Sequence, residues 1–289
     1  MTMQPKSTLL FKVLLNHFHP GIGEASIRNM PQEEVKEIFK QAISSSETSV
    51  AVAWMHNLIT RTHYSWLAPV VQHMPKETQA PVIAALSEKQ AKGLKKLLKY
   101  DNVPPPPSPT VKSFLLDQLF QRWQPNEALP LPYLPSSPLR VLLDMSKEEL
   151  VQLIDFLALY DLAEAIRHIV DKNKLKAIYQ CLTPQKQQFM RNCLHKKERI
   201  VAPKLNLEKW SGDPDVFHSI LHRRGMFRLS SALCGHPASF LWHITHILDT
   251  GRGTAILNQY KPQAAGGVTP FLIQQVLFVI DFLKPKSAA

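Results

Sequence analysis

The chain has 289 residues, 45% of them apolar and 20% charged, which excludes global disorder and suggests about two domains. Only 10 glycines stand against 23 prolines, which argues against Gly-rich phosphate loops and against a sheet with many tight turns. The net charge of +11 is spread as +5, +2 and +4 over residues 1–100, 101–200 and 201–289, an excess that attracts acidic surfaces without forming a basic tail.

Residues 8–100 read as consecutive helices. Over 33–43, Val35, Ile38, Phe39, Ala42 and Ile43 share a stripe at helical spacing, with Pro31 ahead of it in a first-turn position. Further helices are expected at 50–58, at 66–74 and at least once within 76–100. The Pro-rich run 101–110 cannot continue a helix. A helix at 112–123 follows, and residues 124–139 carry five more prolines. Residues 101–139 are therefore expected to be a linker carrying one helix, between an N-terminal helical domain (1–100) and a C-terminal one (140–289, with 140–200 and 201–289 as subdomains). A docking site for a Pro-binding module is the weaker reading of that linker.

Helices resume with Ser146 and Glu149 in capping-box spacing, followed by the stripe Leu150, Leu153, Ile154 and Leu157. Further helices are expected at 162–170, 175–181, 184–194, 215–223, 228–233, 237–249, 253–260 and 269–283. Almost nothing alternates at period two, so the fold class is all-α. Two short likenesses, 28–35 with 143–150 and 86–90 with 182–187, hint at repeated helix pairs that stack into an array.

Cys181, Cys193 and Cys234 form no closely spaced pair, which points to a reducing compartment. The N-terminal run is interrupted by Lys12, Asn16 and His17. The apolar stretch 271–283 has only 13 residues, where about 20 are needed to span a bilayer. A cytoplasmic protein is expected.

No enzyme motif is present: there is no P-loop, GxGxxG, GxSxG or HExxH. The protein is expected to be no enzyme and to carry no cofactor. His218 with His222 and His243 with His246 lie at helical spacing, with Cys234 and His236 between them. A zinc site could be assembled from such a set, but no tight Cys pair anchors it, and polar helix faces are the better reading. Three basic stretches, 92–99, 195–199 and 222–224, supply a basic surface of Lys95, Lys96, Lys196, Lys197, Arg223 and Arg224. A helical nucleic-acid-binding protein is thus the alternative function, although no aromatic residues interleave these clusters for base stacking. The five tryptophans, Trp54, Trp66, Trp123, Trp210 and Trp242, sit in apolar contexts and are expected in the core.

The segment 233–260 resembles a recurring element of the flagellar motor switch protein FliG. In that family a Glu-His-Pro-Gln motif opens an apolar helix, and a second helix follows with an Ile-Leu pair. Here Gly235-His236-Pro237-Ala238 takes the motif position, Phe240, Leu241, Ile244 and Leu248 form the stripe, and Ala255-Ile256-Leu257 match the second helix. Residues 142–194 resemble the helical C-terminal part of the family through Leu143-Asp144, an Asp161-Leu162 turn and residues 188–192, and 30–98 resembles a further divergent copy. The resemblance implies an armadillo-like scaffold that links a membrane-embedded ring to cytoplasmic components in flagella or type III secretion. It implies a partner-binding role for Gly235, His236, Pro237, Phe240, Leu241 and Ile244, with apparatus proteins or a second copy of the chain as partners. It also implies a place peripheral to the inner membrane face, held there by a protein partner. The family's charged torque helix is not reproduced at 195–199, so a secretion adaptor fits better than a motor part.

Overall fold

A computed structural model describes residues 31–33, 35–36, 45–100, 102–125, 127–195, 205, 207 and 210–284. Every regular element among them is helical, and none is a strand, so the all-α expectation holds. The helices expected before residue 44 lie almost wholly outside the described residues. The chain divides into two units, residues 1–124 and 125–289.

The first unit contains α1 (Ser45–Arg61), α2 (Tyr64–Gln72), α3 (Lys76–Ala85), α4 (Glu88–Leu98) and α5 (Pro109–Trp123). The region 76–100, where at least one helix is expected, holds two, because Leu86 is extended and Ser87 caps a new helix with a complete capping box to Gln90. α5 starts at Pro109, where the missing N–H of proline costs nothing. It turns Leu115, Leu116, Leu119 and Phe120 inward against α1, α2 and α3. His56 on α1 meets Asp117 on α5 at 3.0 Å, and Trp54 meets Phe120 edge to face. Residues 109–123 are therefore part of the first unit's core. Leu134, Leu139, Leu142 and Leu143, from the far end of the Pro-rich region and just beyond it, are buried in the second unit.

Glutamines close three of the helix joints. The Gln79 amide donates to the carbonyls of Gln72 and Met74, Gln90 to those of Ile59 and Thr62, and Gln187 to those of Tyr179 and Leu182. Carbonyls at or just past a helix C-terminus have no partner in the helix itself. Each glutamine supplies one from a neighbouring helix, and for this reason Gln79 and Gln90 are buried although polar.

The second unit contains α6 (Lys147–Ile166), α7 (Lys172–Gln180), α8 (Pro184–His195), α9 (Pro214–Leu233), α10 (Ala238–Ile247), α11 (Thr250–Gln259) and α12 (Val268–Leu283). Ser146 and Glu149 form the expected capping box at the start of α6. The whole stripe Leu150, Leu153, Ile154 and Leu157 is at 0% exposure. α6 is buried over much more than one stripe, because α8, α9 and α12 all pack against it. Phe189 of α8 is central to an aromatic cluster with Phe156, Tyr160 and Phe282.

Two expected breaks are absent. The Asp161-Leu162 turn lies inside α6, and the helices expected at 215–223 and 228–233 are one helix, α9. Both differences come from the α6–α9 contact. Asp161 accepts two hydrogen bonds from Arg228, each at 2.8 Å, while Arg228 also donates to Gln275 of α12 and lies over the Tyr160 ring. Gly225 stays helical because α6 passes directly over it. A Cβ there would come within 1.8 Å of the Ile154 carbonyl oxygen. Gly225→Ala is expected to destabilise the second unit by about 1–3 kcal/mol or more through overpacking. Gly251→Ala meets only an Asp249 carboxylate oxygen at 3.4 Å and is expected to be close to neutral. Amide hydrogen exchange across α6 and α9 separates the two. Asp161→Ala strands the buried Arg228 cation and is expected to cost about 3–5 kcal/mol in chemical denaturation.

Candidate functional site

The Gly-His-Pro turn joins α9 to α10. Gly235 has φ +81°, a left-handed conformation that a side chain resists, and a Cβ there would lie 2.9 Å from that of Ala264. The Gly235 N–H donates to the carbonyl of Lys261, and the Tyr260 hydroxyl donates to the carbonyl of His236 at 2.6 Å. The turn is thus tied to the segment that follows α11.

His236 is half-buried and bonded at both ring nitrogens. Nδ1 lies 3.1 Å from the Leu233 carbonyl and Nε2 lies 2.7 Å from the Ser137 hydroxyl. The neutral tautomer that donates from Nδ1 and accepts from Ser137 satisfies both contacts. Ser137 Oγ in turn accepts from the Leu139 N–H, capping the 3-10 turn Pro138–Asp144. The imidazole also stacks on Phe240. Burial lowers the His236 pKa below its ordinary value, although hydrogen bonds to the backbone of Leu233 and Cys234 act the other way.

The site residues proposed from sequence divide by exposure. Gly235, Pro237 and Ala238 are exposed. Phe240, Leu241 and Ile244 are buried at 0%, 2% and 0%, so they seat α10 in the core and offer no surface to a partner. Their stripe is consumed by packing within the unit. Of the basic residues, Lys96 and Arg223 are exposed and Lys95 is half-buried. Arg224 instead lies 3.7 Å from Asp161. Lys196 and Lys197 lie outside the described residues. Trp210 and Trp242 are buried, and Trp54, Trp66 and Trp123 are partly so.

Of the paired histidines, His222, His243 and His246 serve structure, and His218 is exposed beside the Phe217 ring. His222 donates from Nδ1 to Asp155 and accepts at Nε2 from Arg252, each at 2.8 Å, in the tautomer that satisfies both. Asp155 also holds Lys186, and Arg252 also holds Asp249, which caps α11. Burial pushes the Asp155 carboxyl up, but His222 and Lys186 outweigh it and hold the group below its ordinary value. His243 donates to the Leu129 carbonyl, and His246 stacks on Trp242 and donates to its carbonyl. Among the described residues, no group of three or more His, Cys, Asp or Glu is placed to hold a metal ion. Cys181, Cys193 and Cys234 are all unbridged thiols, and burial raises the pKa of Cys181.

One further concavity of about 200 Å³ opens between α6, α8 and α12. Tyr160, Phe271 and Phe278 form its apolar walls, with the amides of Asn192 and Gln274 beside them. Sequence reasoning missed it, because its lining comes from three helices far apart in the chain. No helix among the described residues is long and apolar enough to cross a membrane. No family model, no curated protein and no solved structure matches the chain.

Burial pushes the His246 pKa down to about 4, against the smaller opposing effect of its bond to the Trp242 carbonyl. The folded unit therefore keeps this ring neutral where the unfolded chain, titrating near 6.5, takes up a proton. Folded stability from this group is complete above about pH 6.5 and is expected to fall as the pH drops toward 4, by about 3 kcal/mol in all. Denaturation at a series of pH values measures the slope, and His246→Gln is expected to flatten it.

Proposed function

We propose that the chain is a non-enzymatic cytoplasmic scaffold or adaptor of a type III secretion or flagellar apparatus. It links a membrane ring to cytoplasmic components through protein–protein contacts, on an armadillo-like array of short helices. The observation that carries this reading is the layout of residues 233–260. The resemblance to FliG calls for a His-Pro turn, an apolar helix, and a second helix holding an Ile-Leu pair. Residues 235–237 make a turn, α10 follows, and Ile256 and Leu257 lie on α11. The apolar stripe of the element is internal, so the partner-binding part is the exposed edge, Gly235, Pro237 and Ala238, held in shape by His236, Ser137 and Tyr260.

A non-catalytic role agrees with how the polar side chains are used. Asp155, His222, Arg252 and Asp249 satisfy one another and stitch helices together. The test is affinity capture of the tagged chain from cells that assemble a type III apparatus. Ring or cytoplasmic apparatus proteins are expected to be retained through a high-salt wash. Ala238→Arg adds a bulky cation on the exposed first turn of α10 and is expected to weaken that retention about tenfold or more while leaving the fold intact. Secretion and motility that survive deletion of the protein, with no apparatus protein captured, would sink the reading.

A further inference from the structure

We propose that α4 is an electrostatic docking face for an anionic lipid surface, built from Lys89, Lys92, Lys95, Lys96 and Lys99. The inference is independent of the adaptor reading and lies wholly within the first unit.

The geometry of α4 fixes which way these lysines point. Leu94 is at 0% exposure and Gln90 at 5%, its amide bonded to the carbonyls of Ile59 and Thr62. Gly93 lies against the Tyr64 ring so closely that a Cβ would be 2.4 Å from it. These three residues pin one side of the helix to the unit. At about 100° per residue, Lys89, Lys92, Lys95 and Lys96 fall within an arc of about 120° on the opposite side, and Lys99 follows as the left-handed cap of the helix. Lys89, Lys92, Lys96 and Lys99 are exposed, and Lys95 is half-buried. The only acidic residue of α4 is Glu88, in its first turn. There it complements the positive helix end, as Lys95 and Lys96 complement the negative one. Among the described residues no acidic side chain forms an ion pair with Lys92, Lys95, Lys96 or Lys99.

Charge complementarity calls for a polyanion, and the residue types favour a bilayer over nucleic acid. All five cations are lysines, compact point charges that suit a diffuse field of headgroups. Arginine is the residue that grips phosphate and base edges bidentately. No aromatic ring stands on the lysine arc to stack a base. The helix spaces Lys89 to Lys96 along about 10 Å of its axis, on a side that a flat surface can approach. The apolar face of the helix is spent on the unit's own core, so attraction rather than insertion would hold the protein there. Such binding is worth about a fivefold gain in affinity per lysine and is strongly screened by salt.

The experiment is co-sedimentation of the full chain with vesicles of equal parts phosphatidylglycerol and phosphatidylcholine, against phosphatidylcholine alone. Binding is expected to the anionic vesicles only and to fade as salt rises. The double variant Lys92→Gln, Lys96→Gln is expected to bind about 25-fold more weakly. The control Lys172→Gln, Lys176→Gln, which removes two exposed charges from the second unit, is expected to bind like the parent. Circular dichroism checks that each variant is folded. Absence of binding to anionic vesicles, equal loss in both double variants, or a preference for duplex or single-stranded nucleic acid over the vesicles in competition would each overturn the proposal.

Discussion

Arg228 is 1% exposed, with its guanidinium divided between the Asp161 carboxylate on α6 and the Gln275 amide on α12. A charge so deep is tolerable only when paired and fully hydrogen-bonded. That requirement fixes three helices at once. Asp161 must stay within α6, so α6 runs unbroken past the point where a turn was expected. Arg228 must reach it from α9, so α9 passes close enough that only glycine fits at position 225. Gln275 then sets the register of α12. Other hydrophobic sequences could fill the same volume, but the polar triad excludes sliding or rotation of any one helix, because a slip would leave a buried charge without its partner.

The same economy of polar groups runs through both units. Short helices end often, and each end exposes carbonyls that need donors. Gln79, Gln90 and Gln187 provide them across helix joints, and Asp155, His222 and Arg252 tie the second unit's helices together by side chains alone. Buried polar side chains in such a fold are joinery. Histidines spaced three or four apart look like metal ligands in a sequence, yet His222, His243 and His246 each have a structural partner in hydrogen-bond range.

What could be read from the chain was local. The Ser146–Glu149 capping box and the stripe that follows it depend only on residues within two turns, and both appear as expected. The all-α class follows from the same short-range periodicity. What could not be read was which residues meet across the fold. The gap expected between helices at 223 and 228 contains Gly225, and the neighbour that requires a glycine there, Ile154, is 71 positions away in the chain. Ser137 carried no visible signal, yet it completes the hydrogen bonding of His236 from 99 residues away. The concavity walled by Tyr160, Phe271 and Phe278 is invisible for the same reason.

Position in an apolar stripe marks burial within the unit rather than an exposed surface. An apolar stripe on a helix is claimed by packing within its own unit, as Phe240, Leu241 and Ile244 are. The surfaces left over are edges and polar faces, and two of them have distinct chemistry. The turn at Gly235, Pro237 and Ala238 is small, exposed and uncharged, and is the edge proposed above for contact with a protein. The lysine arc of α4 is extended and cationic, suited to a diffuse anionic surface. A neutral edge selects by fit, whereas a cationic face selects by charge and yields to salt. The two proposed contacts thus draw on different residues, one set in each unit.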